Sequence, residues 1–457
     1  MKKTTLTRRE FVGVATAAAA TLSGCTIVPR PAVARSRMIP PGERINVATI
    51  GAGGQGSGDT IATSRVPGVN IVALCDVDER RHTRPVFQTF PGIPRFKDYR
   101  RMFDQMGKDI DAVIVATPDH THAAAAIAAM ERGKHVYCEK PLAHSIVEVR
   151  RMMAAAERYS VVTQMGNQGH STDSIRLFCE WIQDGAIGNV HTIHAGSNAF
   201  NSGLSKLDLV RSERPAVPRE LDWKLWQGPL KRRDYHPAFL PGTWRGWVPY
   251  GTGTIGDWTC HVIDPVFWAL DLGAPSSIIA DVKGYDFQTQ GLAYPPGDVV
   301  TFKFPAKGQR GAVTVKWHSG TEKLPRPPEL EPDRKPVETG AVIYGDKGTI
   351  VYGSHGAGGV RLIPETKMKA YPRPAKTIPR VKDHQSDWIE AIRLGRKAGS
   401  DFSYGGPLTE IALLGVIAIK LAGTELAWDA RAMRFTNSRA ANQYLQPEYR
   451  FGWNFGL

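Results

Sequence analysis

After residue 44, apolar residues fall in short unbroken runs, each followed by a polar or glycine-rich turn and then a stretch of helical spacing. Ile45–Ile50, Val69–Leu74, Ile110–Ala116, His135–Cys138 and Val161–Gln164 are too short for buried helices and read as buried parallel strands. Between them, the stretch ending at Ser64, Ala123–Arg132 and Glu148–Tyr159 read as helices. Strands alternating with helical stretches predict βαβ units and a doubly wound parallel sheet. Beyond residue 190 the pattern changes. Residues 190–200 and 276–318 alternate as strands do, as in Val299–Phe304 and Ala312–Trp317. Asp383–Leu394 and Leu408–Ala422 read as helices, and the proline- and charge-rich Lys323–Pro336 as an exposed loop or crossing arm. A tail ending in Tyr449, Phe451, Trp453 and Phe455 suggests a docked terminus or a subunit contact.

The chain has 457 residues, long enough for two or three domains. Hydrophobic residues make up 42% and charged residues 22%, which excludes a disordered chain. A formal charge of +14 would invite a nucleic-acid reading, but the Lys and Arg are scattered without a run of five. No nucleic-acid partner is therefore expected, while an acidic substrate or an anionic glycan stays open. Cys75, Cys138, Cys179 and Cys260 form no C-x-x-C pair, so there is neither a zinc signature nor a disulfide framework.

Residues 1–34 read as an address and linker. Thr7-Arg8-Arg9-Glu10-Phe11-Val12 precedes an uncharged stretch, Gly13–Leu22, too short to span a bilayer. Paired arginines there resemble a twin-arginine export signal. Leu22-Ser23-Gly24-Cys25 resembles a lipoprotein cleavage box that would leave a lipid on Cys25, and Ala32-Val33-Ala34 offers a rival cleavage site. The expected location is the periplasm or cell envelope, with any membrane attachment through that lipid alone.

The first strand runs into Gly51-Ala52-Gly53-Gly54-Gln55-Gly56, and the second ends at Asp76, 20 positions past Gly56. Strand, glycine turn, helix and acidic residue in this order fit a dinucleotide site: Gly51, Gly53, Gln55 and Gly56 bring backbone N–H groups to the pyrophosphate, and Asp76 accepts the ribose 2′-hydroxyl. Asp76 repels a 2′-phosphate, which favours NAD over NADP, although Arg80 and Arg81 weaken the preference. Ligands are expected beyond the strand ends, where Thr117-Pro118, Glu139-Lys140-Pro141 and Gln164–Asn167 lie. His120 and His122 look like a two-residue metal pair, or flank a loop that reaches cofactor or substrate.

The glycine turn, Ala-Thr-Pro-Asp-His-Thr-His (116–122), Gly-Lys-His-Val-Tyr-Cys-Glu-Lys-Pro-Leu (133–142) and Gly-Asp-Trp-Thr-Cys-His (256–261) resemble the Gfo/Idh/MocA family of glucose–fructose oxidoreductase and inositol dehydrogenase. Gly251–Gly256 and Pro407-Leu408-Thr409-Glu410 look like its exported bacterial branch. The resemblance implies a Rossmann domain, placed at 43–166, and a mixed, largely antiparallel α+β domain at 167–457 that binds substrate and builds a homo-oligomer, dimer or tetramer. It also implies that Lys140 meets Asp257 and His261 beside the nicotinamide, with Thr117, Pro118, His122 and Glu139 among the cofactor contacts. Lys140 would stabilise developing alkoxide charge, His261 would take the hydroxyl proton, and Asp257 would hold His261 or bind a neighbouring hydroxyl. Asp257 and His261 share a face if Gly256–Leu270 is one helix. A metal cluster of Asp257, His261 and Asp264 lacks a third His or Cys at ligand spacing, and no metal is expected.

Between Asp222 and Tyr250, eight aromatic or His side chains interleave with Arg, Gly and Pro. Such a segment either packs over the sheet or forms a carbohydrate platform using Tyr235, His236, Trp244, Arg245 and Tyr250. Asn167, Gln168 and His170 are placed by position in the substrate pocket. The leading expectation is an oxidoreductase moving a hydride between tightly bound NAD and a secondary hydroxyl of a sugar, polyol or glycoside. The alternative is an NAD-dependent glycoside hydrolase that oxidises a ring hydroxyl, eliminates, adds water and re-reduces, with Tyr250 or His236 as its C–H base. A non-enzymatic sugar-binding lipoprotein is disfavoured because Lys140, Asp257 and His261 are all present.

Overall fold

Ile45, Val47, Ala48 and Ile50 bury both faces of the first strand, as a central parallel strand requires. In the computed structural model, which describes residues 36–453 apart from 38 and 41, that strand (β1, Ile45–Ile50) lies in the middle of a six-stranded sheet. Its partners are β2 (Val69–Cys75), β3 (Arg95–Phe96), β4 (Ala112–Val115), β5 (His135–Cys138) and β6 (Thr163–Met165). The order is β3-β2-β1-β4-β5-β6 and every pairing is parallel. The order reverses between β1 and β4, which opens a crevice at the carboxyl ends of those strands. Helices α1 (Gln55–Ser64), α2 (Tyr99–Met106), α3 (Asp119–Met130) and α4 (Ile146–Arg158), with a short helix at Arg84–Thr89 between β2 and β3, make the connections. The candidate export signal lies outside the described residues, which fall within one compact unit.

The second sheet has nine strands in the order β13-β12-β11-β7-β10-β9-β8-β14-β15. These are β7 (Val190–Ser197), β8 (Ser277–Asp281), β9 (Gly297–Phe304), β10 (Val313–Gly320), β11 (Gly340–Gly345), β12 (Gly348–Gly353), β13 (Arg361–Ile363), β14 (Leu426–Asp429) and β15 (Arg434–Phe435). Only β7 and β10 pair in parallel, so the sheet is mixed and largely antiparallel as expected. Between β7 and β8 the chain passes through short helices at Leu207–Ser212 and Trp223–Trp226 and then through α5 (Gly253–Val262) and α6 (Asp264–Ala269). The expected single helix over 256–270 is thus two, joined at Ile263 just before Pro265, where the ring removes a backbone donor. Helix 384–394 turns back and packs Trp388, Ile389 and Ile392 onto the first sheet.

Helix α7 (Phe402–Lys420) starts well before the predicted Leu408. Gly405, Gly406 and Pro407 are poor helix interior residues and argue locally for a later start. Tertiary packing overrides them, because a Cβ at Gly406 would run into Met153 of α4. The helix is long and apolar enough to cross a membrane, yet 83% of that window is buried inside the protein, as for a core helix.

Its buried Glu410 faces Arg150 of α4, whose Nη2 donates to Glu410 Oε2 at 2.8 Å, and this pair joins the two sheets' helical layers. Burial pushes the Glu410 carboxyl up while Arg150 pulls it down. Arg150→Ala leaves that carboxylate buried without its partner and should lower unfolding stability by about 2 kcal/mol in a denaturant titration. A change within error would show that the pair adds nothing.

Candidate active site

The crevice at the reversal point is a cleft of about 230 Å³. Gly51, Gly53, Gly54 and Gln55 form one wall. Gly51 has φ +84°, and a Cβ there would come 2.6 Å from the Ala116 carbonyl carbon at the end of β4. Gly56 does not line the cleft. A Cβ on it would run into the Gly51 carbonyl oxygen, so it sets how closely α1 leaves the turn. Asp76 also lines the cleft, accepting from Gly53 N at 2.8 Å and Asp78 N at 2.9 Å. Arg80 is not free to meet a phosphate: its Nε donates to Asp78 Oδ1 at 2.7 Å, and its Nη2 pairs with the other oxygen. The glycine cradle and the acidic residue beside it fit a dinucleotide whose ribose carries an unmodified 2′-hydroxyl.

Thr117, Pro118, His122, Glu139 and Lys140 line the facing wall. The ring nitrogens of His122 lie 2.6 Å from Thr117 O and 2.8 Å from Pro141 O, so the ring ties the loop after β4 to the loop after β5. His120 sits 2.9 Å from Trp226 O and 3.2 Å from Tyr250 O and pins the aromatic segment to α3. The two rings bind carbonyl groups in different places and do not form a metal pair. Glu139 accepts from Gln168 Nε2 at 2.9 Å, and burial together with the Asp59 carboxylate pushes its carboxyl well up.

At the end of this wall Lys140 Nζ donates to Asp257 Oδ1 at 2.6 Å and to Asp257 O at 2.9 Å. Arg245 Nε donates to the same Oδ1 at 2.9 Å, and Asn201 Nδ2 to Oδ2 at 2.9 Å. Burial opposes charge on Asp257, but Lys140 and Arg245 outweigh it and hold the carboxyl well below the usual range. Two cations on one carboxylate leave a surplus positive charge at the cleft wall.

His261 is one turn along α5 from Asp257 and buried, as the spacing predicts. Asp257 does not hold it, because its oxygens are taken by Lys140, Arg245 and Asn201. Among the described residues His261 Nδ1 has no hydrogen-bond partner. Burial, followed by Lys140 and His355, pushes its pKa well below the ordinary value, so the ring is neutral. The His355 ring stacks on it at 4.2 Å and 28°, with Trp258 edge-on to both. His355 is exposed, and its loop is held where Thr172 and Ser174 Oγ donate to Gly356 O. Sequence reading missed Asn201 and His355. Each is an isolated polar residue in an unpatterned loop, and only the fold brings it to α5.

The expected substrate residues divide. Trp244 and Arg245 line the cleft, with the Arg245 guanidinium 4.2 Å over the Trp244 ring. Tyr235 and Tyr250 instead pack with Trp223, Trp226, Phe239 and Trp247 in a separate small core, so most of the aromatic segment is packing. The Tyr250 hydroxyl is buried and has no hydrogen-bond partner among the described residues. His236 is buried, with Nε2 3.1 Å from Glu213. Neither Tyr250 nor His236 lines the cleft, and nor do Asp257 and His261, which lie behind Lys140 and Arg245. Asn167 and His170 are also turned inward: Asn167 Nδ2 donates to Asp264 at 3.0 Å, and His170 stacks on Trp268 with Nδ1 3.1 Å from Asp264. Gln168 meets the site only through Glu139. Asp264 belongs to this network, completed by the Tyr404 hydroxyl, rather than to one with Asp257 and His261.

Comparison with known proteins places this geometry. Residues 45–167 match the family model described as an oxidoreductase family, NAD-binding Rossmann fold, and residues 181–293 match that family's C-terminal alpha/beta domain. Over 170 residues the chain is 35% identical to a protein of Shewanella pealeana named as a glycosyl hydrolase family 109 protein, covering 34% of this chain and 37% of that one. Over 93 residues it is 40% identical to a levoglucosan dehydrogenase of Pseudarthrobacter phenanthrenivorans, covering 20% and 23%. The chain thus matches well under half the length of these curated relatives. A solved levoglucosan dehydrogenase in complex with NADH shares the fold, with a TM-score of 0.55 at 20% identity over 84% of this chain and 98% of that one. The two family models lie in the expected order and together take in more than half of the 457 residues, so the chain belongs to the Gfo/Idh/MocA oxidoreductase family.

Proposed function

We propose that this protein is an NAD-dependent oxidoreductase acting on a secondary hydroxyl of a sugar, polyol or glycoside. The observation that carries the reading is the Lys140–Asp257 pair at the end of the dinucleotide cleft, one helical turn from a neutral His261. When bound, the dinucleotide supplies the hydride acceptor. Lys140 offers an N–H to the substrate oxygen, and the surplus charge of Lys140 and Arg245 over Asp257 favours the oxygen as it becomes an alkoxide. Asp257 holds both cations in place and is too acidic to take the proton. His261 Nδ1, with no partner of its own, is the acceptor for it. The resulting imidazolium faces Lys140, which disfavours it. The exposed His355 ring stacks on it without a hydrogen bond between them, so the proton leaves past His355 only through a bridging water.

A second reading, an NAD-dependent glycoside hydrolase, starts from the same hydroxyl oxidation and is favoured by the glycosyl hydrolase relative. Tyr250 packs in the aromatic core and His236 pairs with Glu213, whereas His261 is one helical turn from the Lys140–Asp257 pair, which argues against either of the first two as its C–H base. Both readings suit an exported enzyme with a trapped cofactor. The proposal extends to folded export by the twin-arginine route to the periplasm or cell envelope, with or without a lipid on Cys25, and to a homo-oligomer. Denaturing the purified protein and identifying the released nucleotide tests this. Near-stoichiometric NAD supports a closed redox cycle, and an empty protein counts against it.

Lys140→Ala should lower kcat by roughly 10²–10⁴-fold while dinucleotide binding, followed by fluorescence, is kept. Retained turnover would sink its assigned role. Asp76→Ala should narrow the discrimination between NAD and NADP, and unchanged discrimination would show that the ribose is read elsewhere. Because its folded pKa is depressed, His261 should stay neutral as pH falls through about 6.5, where an exposed imidazole protonates. Its ring NMR signals should therefore not shift near that pH. His355→Phe keeps the stacked ring but not its nitrogens, so turnover should fall and imidazole buffer should restore it. Full turnover without imidazole contradicts the exit route.

A further inference from the structure

Beside the adenosine end of the cleft lies a second, larger cavity of about 790 Å³. Three distant segments build it: residues 95–105 around β3 and α2, residues 222–232 of the aromatic segment, and residues 450–453 near the C-terminus. Seven cations line it, and its only acids are Asp98 and Asp222. Both acids are engaged: Asp98 caps α2 and takes the Arg100 guanidinium, and Asp222 accepts from Leu225 N. Among the described residues Arg95, Arg101, Lys224, Arg232 and Arg450 make no ion pair at all. Here the like charges face each other, and Arg450 is pushed down by burial and by Arg232 and Arg100. Five cations gathered from three segments without carboxylate partners make a surface whose charge suits an anion.

We propose that this cavity binds an acidic oligosaccharide, one carrying sulfate or carboxylate groups on successive sugars. Several separated cations around a wide cavity match charges spread along a chain better than a single phosphate. The concave shape disfavours a flat lipid surface. Trp453 already has the Arg100 guanidinium at 4.9 Å and the Arg450 guanidinium at 5.3 Å from its ring, which competes with stacking of a nucleobase there. The cavity shares Lys97, Leu225 and Trp453 with the dinucleotide cleft but contains neither Lys140 nor Arg245. It therefore anchors the glycan away from the reacting hydroxyl, and the inference stands apart from the redox reading.

The test is titration calorimetry of the full chain with a heparin-derived tetrasaccharide at low salt, beside a neutral maltotetraose, a dT oligonucleotide and phosphatidylglycerol vesicles. Arg101 and Arg232 are exposed and unpaired, so Arg101→Glu and Arg232→Glu together should leave the fold and NAD affinity unchanged. The expected result is binding of the tetrasaccharide alone, weakened roughly tenfold or more in the double variant and progressively by salt. Binding undiminished in the variant, no binding, or equal or tighter binding of the oligonucleotide or the vesicles would overturn the proposal.

Discussion

Lys140 and Asp257 are 117 residues apart, and their 2.6 Å contact joins the end of a parallel strand to a helix above the second sheet. Taking two charges out of water is costly, and a pair this buried stands only where further hydrogen bonds complete it. Asp257 has them from Arg245, Asn201 and a second contact through its own backbone carbonyl to Lys140. The arrangement requires β5 to end at the crevice, α5 to begin at Gly253, and the aromatic segment to deliver Arg245 from the side. Each of these is a packing problem solved elsewhere in the molecule.

The aromatic segment shows how. Its rings contact one another and form a core of their own, and His120 fastens that core to α3 through two carbonyl groups. With the interior anchored, Trp244, itself part of that core, and Arg245 reach the cleft edge, the cation lying over the ring. An aromatic-rich segment that reads as a sugar platform is thus largely the scaffold for one cation. The same economy appears below the second sheet, where Asn167, His170, Asp264 and Tyr404 form a closed polar network that packs the base of α6 instead of facing substrate.

Burial sets the electrostatic character of the site. His261 is kept neutral by its surroundings and by the cation next to it, whereas Asp257 is kept charged by two cations. Burial acts against charge on both, and the outcomes are opposite because the neighbours differ. The position of one residue relative to another decides the chemistry, and that position comes from the chain's packing.

The amino-acid order by itself determined the parallel sheet, the glycine turn and Asp76 at the second strand's end, which depend on local periodicity and on spacings within one strand–turn–helix unit. Lys140, Asp257 and His261 were legible through motifs that resemble a known family, not through periodicity. The start of α7 at Phe402, the break at Ile263, and the inward turn of Asn167, His170 and Tyr250 depend on contacts between residues far apart in the chain, such as Gly406 against Met153. Asn201, His355 and the cation-lined cavity carry no local pattern at all. Only the tertiary structure decided them, because side chains from unrelated segments acquire a joint chemistry once packing holds them within a few ångströms of each other.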